Sequence, residues 1–336
     1  MNFFSGTKIG LHFGNDYLSF AVLKPRGRRF LVQACKVIPL PPDSIRHSPL
    51  ESNILNQEEI KDHLKNLLKD APKGQSISLS IPDLSSRMVF TEVKKSVPAL
   101  HELNQMIKWN MEQKFLSNIG DSQISHQIVA QSKESFKNTD SFDRTKTKHF
   151  LILGTAVLKN ILSEYEALPL SIQMIPKVIN NCSFHLFNLY HDLIFNQEKA
   201  GNFLFLNLVD HYFTLMVFEQ KILRYIRTVG LRNPIAGSEA EKKEIEEKNN
   251  LKIFKEIESS LQYHYKDFPL KSQIHLFING PENLPGFSVQ LTDQFKMKVH
   301  LLNPSLLMSL EWAPGLKVRE TALLTPAIAA AAGALI

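Results

Sequence analysis

The chain has 336 residues, of which 43% are hydrophobic and 21% are charged. This length and balance exclude a disordered chain and allow two domains, or one bilobal body, with a sizeable core. The formal net charge of +6 permits attraction to nucleic acid, to an anionic membrane face or to an acidic partner, but it selects none of these.

The N-terminal segment, the cysteines and the lengths of the apolar stretches indicate the cellular compartment of the protein. The opening "MNFFSGTKIG" has no basic segment followed by an apolar core and a cleavage site, so we expect no secretory signal. Cys35 and Cys182 form no CxxC pair and are expected to be buried thiols rather than a disulfide. No window approaches the roughly 18 apolar residues of a membrane span. We therefore expect a soluble, cytoplasmic protein.

The first half begins with a predicted three-strand meander over residues 8–38. Its second turn, "KPRGRR", carries four basic residues, Lys24, Arg26, Arg28 and Arg29. Such hairpin tips are usually just solvated, and contact with acidic lipid headgroups or a partner is the alternative. An amphipathic helix is predicted next, with Ile60, Leu64, Leu67 and Leu68 on one face.

Further elements follow in order along the first half. "SISLSIP" and "RMVFTEV" read as strands, and "VPALHELNQMIKWNMEQKF" reads as a helix with Leu100, Leu103, Ile107, Met111 and Phe115 on one face. The strands "SHQIVAQ" and "HFLILGTAV" bracket the polar tract of residues 132–148, which is expected to be an exposed hairpin loop. The segments "LKNILSEYEAL" and "KVINNCSFHLFNLYHDLI" are predicted to be helices.

The second half repeats the first. "NFLFLNL", "YFTLMVF" and "KILRYIRTVGL" predict a second three-strand meander. An exposed, charged helix over 238–250 leads into a helix with Leu251, Phe254, Ile257 and Leu261 on its buried face. Strand, helix and strand follow, and an alanine-rich helix closes the chain. This repetition predicts a duplicated α/β body with a cleft between its halves, where ligands usually bind.

The order of these segments resembles the actin superfamily, and within it the type IV pilus assembly protein PilM family and its relative FtsA. "KIGLHFGNDYLSFAVL", "SIPDLSSRMVFTEV", "EIESSLQYHYKDF" and "LFINGPENLPGF" carry the resemblance, which spans nearly the whole chain. It implies an actin-like (ribonuclease H-like) duplicated fold with two lobes and an inserted small α/β subdomain in the first. The implied division is first lobe 1–80, inserted subdomain 81–170, return to the first lobe 171–200, and second lobe 201–336 with a shortened outer subdomain.

Members of the superfamily hold ATP with three loops, and each loop is altered here. In the first, an aspartate orients the magnesium water, and glycine and small hydroxyl residues let backbone N–H groups reach the phosphates. The matching positions are His12, Gly14, Asn15 and Asp16. The metal anchor is therefore missing, and a carboxylate at Asp16 would repel phosphate oxygens.

The other two loops are also degenerate. The second reads Asn207 and Val209 where the family has aspartate and glycine, and a β-branched residue does not tolerate the backbone angles of glycine. The third keeps Gly280 and Gly286 but has Asn279 and Pro281 at its flanking glycines. We expect no cofactor and no catalysis. The alternative is ATP with magnesium, with Asp16 or Asp210 as a substitute metal ligand.

The resemblance also implies a partner. PilM proteins take up the cytoplasmic N-terminal tail of the inner-membrane protein PilN, which implies a groove here within Ile81–Phe115. Its expected lining is Met88, Phe90, Ile107, Trp109 and Met111. The predicted function is a non-catalytic scaffold of a type IV pilus or related secretion assembly at the inner face of the inner membrane, without nucleic acid.

Two alternative functions remain open at this point. One is an active ATPase of the FtsA or sugar-kinase type, and the other is the cytoplasmic domain of a GspL-like secretion protein. Peripheral membrane association is compatible with all three, and the sequence leaves the oligomeric state open. The histidines, including His185, His191 and His264, show no zinc or protease spacing and are expected to be structural.

Overall fold

The structure is a computed structural model. It describes residues 6–68, 74–94, 96–116, 119–132, 148–198, 201–209, 211–232, 238–265, 274–281, 285–316 and 321–333. The predicted hairpin loop between the two strands of the inserted subdomain falls on residues 133–147, outside this range, and so does Asp210. Within the described part, no helix is both long and apolar enough to cross a membrane.

The described residues contain strands, singly or in groups of two or three, separated by helices. The strands are β1 (Lys8–Phe13), β2 (Tyr17–Arg26), β3 (Arg29–Pro39), β4 (Ser76–Ile81), β5 (Arg87–Lys94), β6 (Ser122–Ser132), β7 (His149–Leu158), β8 (Ile175–Asn181), β9 (Phe203–Val209), β10 (Tyr212–Glu219), β11 (Ile222–Gly230), β12 (His275–Asn279), β13 (Lys298–Leu301) and β14 (Leu310–Trp312). The helices are α1 (Gln57–Leu67), α2 (Leu100–Phe115), α3 (Lys159–Ser171), α4 (Cys182–Gln197), α5 (Glu239–His264), α6 (Pro285–Phe295) and α7 (Thr321–Gly333).

Two of the three sheets have the same topology, which confirms the duplicated α/β fold. The first has the order β14-β3-β2-β1-β4-β8, and the second has the order β11-β10-β9-β12-β13. In each, an antiparallel meander is followed by two strands parallel to its first strand. His12 in β1 and Asn207 in β9 occupy equivalent positions, since each is the fifth residue of its repeat's first strand.

The end of the chain lies on the first sheet. The three residues of β14 pair in parallel with β3, from Leu310 beside Phe30 to Trp312 beside Val32. Helix α7 packs on β1 so closely that a Cβ atom at Gly10 would lie 2.0 Å from the Ala327 carbonyl oxygen. This differs from the sequence-based division, which assigned all of 201–336 to the second lobe, because a three-residue strand has no periodicity to detect.

The chain divides into two compact units. Unit 1 comprises Met1–His47, Asn53–Leu84 and Glu164–Ile336, and it contains both large sheets. Unit 2 comprises Ser48–Ser52 and Ser85–Ser163 and contains the three-stranded sheet β5-β7-β6. In unit 2, one face of α2 packs on this sheet around a core that includes Val89, Leu103, Ile107, Met111 and Ile152.

Two local predictions were wrong. Residues 177–181 were expected to begin a helix, but they belong to β8, because the β-branched residues Val178 and Ile179 pair in parallel with β4. On α5, Leu251 is 52% exposed and Ile253 is buried instead. The helix is otherwise as expected, with an exposed, charged N-terminal half that begins at a capping box of Ser238 and Glu241.

Candidate functional site

The β1–β2 turn is the position of the first phosphate loop in the resemblance. The Gly14 amide donates to the Tyr17 carbonyl oxygen at 2.9 Å, which closes a tight turn with the half-buried Asn15 and Asp16 at its corner. A phosphate-binding loop needs such amides free to donate to the ligand. Here the Gly14 amide is used by the protein itself.

His12 lies in strand β1 and not in the loop. Its Nδ1 atom is 2.9 Å from Ser80 Oγ and 3.2 Å from the Ser80 carbonyl oxygen, on the neighbouring parallel strand β4. Burial lowers the pKa of His12 to about 3, and the hydrogen bond to Ser80 opposes this only partly. A neutral, buried imidazole that is already hydrogen-bonded cannot replace the missing carboxylate of a magnesium site.

Aromatic rings fill the space beside this turn. A Cβ atom at Gly14 would lie 2.2 Å from Tyr17 Cε1, so the glycine is required by the tyrosine ring. The His12 ring centroid is 5.9 Å from that of Tyr17, and the His47 ring centroid is 6.2 Å from that of Tyr212. Both tyrosines are buried. The glycine that matches the family pattern therefore serves packing in this chain.

A buried carboxylate connects the two large sheets of unit 1. Asp83 follows β4 in a single 3₁₀ turn, Asp83–Ser85, and is completely buried. It accepts hydrogen bonds from the Ser183 amide at 3.0 Å, from the Ser183 hydroxyl, and from Thr214 Oγ1 at 2.7 Å. Ser183 is in the first turn of α4, where a carboxylate also interacts favourably with the helix dipole. Thr214 lies on β10 in the second sheet.

The amide side chains of the second sheet extend this network. Asn207 Nδ2 donates to Ser183 Oγ at 2.9 Å, and Asn279 Nδ2 donates to Asn207 Oδ1 at 3.1 Å. Burial raises the pKa of the Asp83 carboxyl, and the hydrogen bonds from Ser183, Thr214 and Asn207 act against that rise. Asp83, Ser183, Thr214, Asn207 and Asn279 form what we call the polar interlock. It joins the two sheets by direct hydrogen bonds.

Two further histidines lie near this region in a neutral state. His185 Nε2 is 3.2 Å from the Leu79 carbonyl oxygen, and burial lowers its pKa to about 4. The ring nitrogens of His47 are also buried, and desolvation lowers its pKa to about 3. Cys182, next to Ser183, is a buried thiol whose pKa burial raises, so it is unsuited to nucleophilic chemistry.

The remaining loop positions that the structure describes are Val209, Gly280, Pro281 and Gly286. Val209 is half-buried and pairs with Tyr212 at the β9–β10 turn. Gly280 and Pro281 line a cavity of about 210 Å³, smaller than the roughly 300–1,000 Å³ of typical ligand pockets. Gly286 is exposed at the start of α6, and a Cβ atom added there would have no neighbour within 4 Å.

These residues do not fit a magnesium–triphosphate group. The Gly14 amide, the His12 ring, the Asn207 amide and both Asp83 carboxylate oxygens already have protein partners. The described residues also contain no group of three or more histidine, cysteine, aspartate or glutamate side chains placed to hold a metal ion. The arrangement can join the two sheets of unit 1, but its polar atoms are not directed at a ligand.

Unit 2 has a groove where α2 meets the edge strand β5. It has a volume of about 440 Å³ and is lined by Phe90, Thr91, Glu92, Gln105, Met106, Trp109 and Asn110. Trp109 is 62% exposed. Asn110 Nδ2 donates to Thr91 Oγ1 at 2.9 Å, which fixes the helix against the strand. The groove thus combines exposed apolar side chains with amide groups.

The expected partner-groove residues divide between this groove and the interior. Phe90 and Trp109 line the groove. Met88, Ile107 and Met111 are buried, and the last two belong to the core of unit 2, so none of the three is available to a partner. We correct these three assignments: on a helix packed against a sheet, Ile107 and Met111 share the apolar face, whereas Trp109 lies on the other side.

Several residues of the site escaped the sequence reasoning. They are Tyr17, His47, Asp83, Ser183, Tyr212 and Thr214. A usable signal existed for two of them, since Asp83 comes one residue after the buried strand "SISLSI" and Thr214 interrupts the apolar strand "YFTLMVF". Polar residues at positions predicted to be buried need partners, and each of these two is the other's partner.

A solved structure shares the fold along nearly the whole chain. A structure of a PilM–PilN type IV pilus biogenesis complex aligns with a TM-score of 0.73 and 15% identity, over 97% of this chain and 96% of that one. This confirms the predicted actin-like, PilM-type fold. At such an identity the likeness establishes the fold alone. No family model matches the sequence, and neither does any curated protein sequence.

Two further solved structures align with lower TM-scores. A protein of actin-like ATPase fold and unknown function from Bacteroides thetaiotaomicron aligns with a TM-score of 0.46 and 10% identity, over 97% of this chain and 99% of that one. The cytoplasmic domain of EpsL, an inner-membrane component of the type II secretion system of Vibrio cholerae, aligns with a TM-score of 0.44 and 9% identity, over 95% and 93%.

Proposed function

We propose that this chain is a non-catalytic, actin-like component of a type IV pilus or related secretion assembly that binds the cytoplasmic tail of an inner-membrane protein. The observation that carries the proposal is the alignment, over 97% of the chain, with a protein in a complex described as PilM–PilN. In this proposal the protein works in the cytoplasm and reaches the inner membrane through that partner.

The absence of ATP hydrolysis is part of the proposal. It is supported by the polar interlock, which supplies direct hydrogen bonds between the two sheets where related folds use a nucleotide. It is also supported by the Tyr17 ring over Gly14, which excludes close phosphate approach at the first loop. Because the Gly14 amide and the Asp83 carboxylate are already hydrogen-bonded within the protein, tight binding of a triphosphate through them would be costly.

The groove of unit 2 is the proposed binding site for the tail. Its wall is formed by Phe90, Thr91 and Glu92 of β5, which among the described residues pairs with β7 on one side only. An extended peptide can add to such an edge by backbone hydrogen bonds while its apolar side chains contact Trp109. Gln105 and Asn110 of α2 offer amide groups to the same peptide.

Tryptophan fluorescence tests this binding directly, because Trp109 and Trp312 are the two tryptophans of the chain. In a Trp312→Phe background, synthetic cytoplasmic tails of inner-membrane pilus and secretion proteins from the same organism are titrated. A bound tail should shift Trp109 emission to shorter wavelength as its 62% exposed ring is covered.

The matched variants are Trp109→Ala and Tyr263→Ala, followed by calorimetry. Tyr263 is 81% exposed on α5 in unit 1, so it controls for loss of an exposed aromatic ring. Loss of Trp109 should weaken binding by about 2 kcal/mol, the size of an interface hot spot, and loss of Tyr263 should have little effect. Equal effects of both variants, or no binding by any tail, would contradict the proposed groove.

A further inference from the structure

The β2–β3 hairpin presents a dense basic cluster to solvent. Lys24, Arg26, Arg28 and Arg29 are all exposed, and Arg26 pairs with Arg29 across the turn. Gly27 provides the positive φ of 61° that a turn this tight requires. The four cations are therefore held at one end of the first sheet.

Two apolar side chains are brought to the same end by the segment that precedes β14. Because β14 runs parallel to β3 and starts opposite Phe30, the residues just before it lie level with the hairpin turn. The Phe30 amide fixes this position by donating to the Ser309 carbonyl oxygen at 2.8 Å. Leu306 is 59% exposed and Met308 is 86% exposed.

These side chains border one open cavity of about 810 Å³. Arg28, Arg29, Leu306 and Met308 all line it, with one face of α4 on the other side. We call the set Lys24, Arg26, Arg28, Arg29, Leu306 and Met308 the hairpin surface. It combines cations with unusually exposed apolar groups, and it belongs to unit 1, whereas the residues of the proposed tail groove belong to unit 2.

The charge of the hairpin surface is only partly neutralised. Glu311 pairs with Arg29 at 3.1 Å and approaches Arg26 at 3.7 Å, and Asp192 of α4 borders the cavity. Lys24 and Arg28 form no ion pair with any residue that the structure describes. Four cations thus face two carboxylates, which leaves a net positive surface around the exposed Met308.

We propose that the hairpin surface docks on an anionic lipid bilayer. A bilayer supplies both requirements at once, fixed negative charge at the headgroups for the arginines and an apolar interior for Met308 and Leu306. Met308 lines this cavity and is nevertheless 86% exposed, which favours insertion into a soft apolar layer over capture of a peptide. This inference goes beyond tail binding and does not depend on it.

Vesicle sedimentation of the full chain tests the docking. Vesicles of phosphatidylcholine alone are compared with equal parts phosphatidylcholine and phosphatidylglycerol, at low and at high salt. We expect binding to the anionic vesicles only, decreasing with salt. Each basic residue near such a surface changes the partition constant by about fivefold. Arg28→Glu should therefore reduce it by at least about fivefold.

Two pairs of variants distinguish binding by the hairpin surface from general effects of net charge or of exposed apolar side chains. Lys243→Glu, on the exposed part of α5, makes the same charge change elsewhere and should leave binding almost unchanged. Met308→Ser should reduce binding severalfold, whereas Val289→Ser, at a 58% exposed position on α6, should not. Thermal melting verifies that all four variants are folded, which is expected because all four positions are exposed.

Three results would overturn the proposal. The first is no difference between anionic and neutral vesicles. The second is equal loss of binding in Arg28→Glu and Lys243→Glu, which would indicate attraction by net charge alone. The third is evidence that a protein occupies the surface in place of the bilayer. In that case vesicles are not bound, whereas binding of soluble polyglutamate, or self-association measured by light scattering, requires Arg28 and Met308.

Discussion

Removing the carboxylate at the centre of the polar interlock should cost a large fraction of the stability of unit 1. In Asp83→Ala, the Ser183 amide and the Ser183 hydroxyl lose the carboxylate as their acceptor, and the Thr214 hydroxyl keeps Thr228 Oγ1, 2.9 Å away, as its other partner. A buried donor left without a partner costs about 1–3 kcal/mol. Relief from burying the carboxylate offsets part of that sum.

The net cost is therefore about 3–5 kcal/mol of unfolding free energy. At about 2–4 °C per kcal/mol for a body of this size, the melting temperature should fall by roughly 6–20 °C. Urea denaturation and calorimetry measure both quantities. Asp293→Ala, at an exposed position on α6, is the control and should change neither quantity appreciably.

A double-mutant cycle shows whether the loss comes from the interlock itself. Thr214→Val removes one donor while keeping the shape of the side chain, and it is combined with Asp83→Ala. Residues within one hydrogen-bonded network should show a coupling energy of about 0.5–3 kcal/mol. A loss below about 1 kcal/mol in Asp83→Ala, or additive effects of the two substitutions, would refute the claim that this network holds the two sheets together.

Two further predictions concern the same region. Gly14→Ala should destabilise the protein by about 1–3 kcal/mol in urea, because the new methyl group meets the buried Tyr17 ring, whereas Gly286→Ala should not; equal effects would contradict this packing. The unfolding free energy should fall as pH drops from about 6.5 towards 4, since the unfolded chain protonates His12, His47 and His185 there while burial holds their folded pKa values at about 3 to 4. For each histidine, the unfolding free energy falls by up to about 1.4 kcal/mol per pH unit. Asp83 partly offsets this loss, because its raised pKa lets it take up a proton in the folded state. Urea titrations at pH 7 and pH 5 measure the change, and equal stability at the two values would contradict the buried, neutral histidines.

Local patterns were sufficient to predict most of the fold. Both meanders, the amphipathic face of α2 and the duplication follow from alternating or helical spacing of apolar residues, and the matching strand orders confirm the duplication. The strand β8 was mistaken for helix because "IPKVINN" has no clear alternation and becomes a strand only beside β4. The return of β14 to β3 joins residues far apart in the chain, which no local pattern indicates.

The candidate site was predicted only in part, for the same reason. The resemblance to the family indicated the altered positions His12 and Asn207, but their actual partners, Ser80 and Ser183, come from distant segments. Gly14 was taken to be a remnant of a phosphate loop, whereas the structure gives it a packing role under Tyr17. The interior positions Ile107 and Met111 were assigned to a groove through the resemblance to the family, although helical spacing already placed both with Leu103 on the apolar face of α2.

Titration with magnesium–ATP tests the central claim most directly, namely that the polar interlock and the Tyr17 ring have replaced the nucleotide between the two sheets. The melting temperature of the purified protein is followed over a range of magnesium–ATP concentrations, with Tyr17→Ala beside the wild-type chain. We expect no concentration-dependent rise for the wild-type protein. A ligand at a hundred times its dissociation constant stabilises a protein by about 2.7 kcal/mol. A rise in melting temperature equivalent to that stabilisation would contradict the claim that the nucleotide has been replaced.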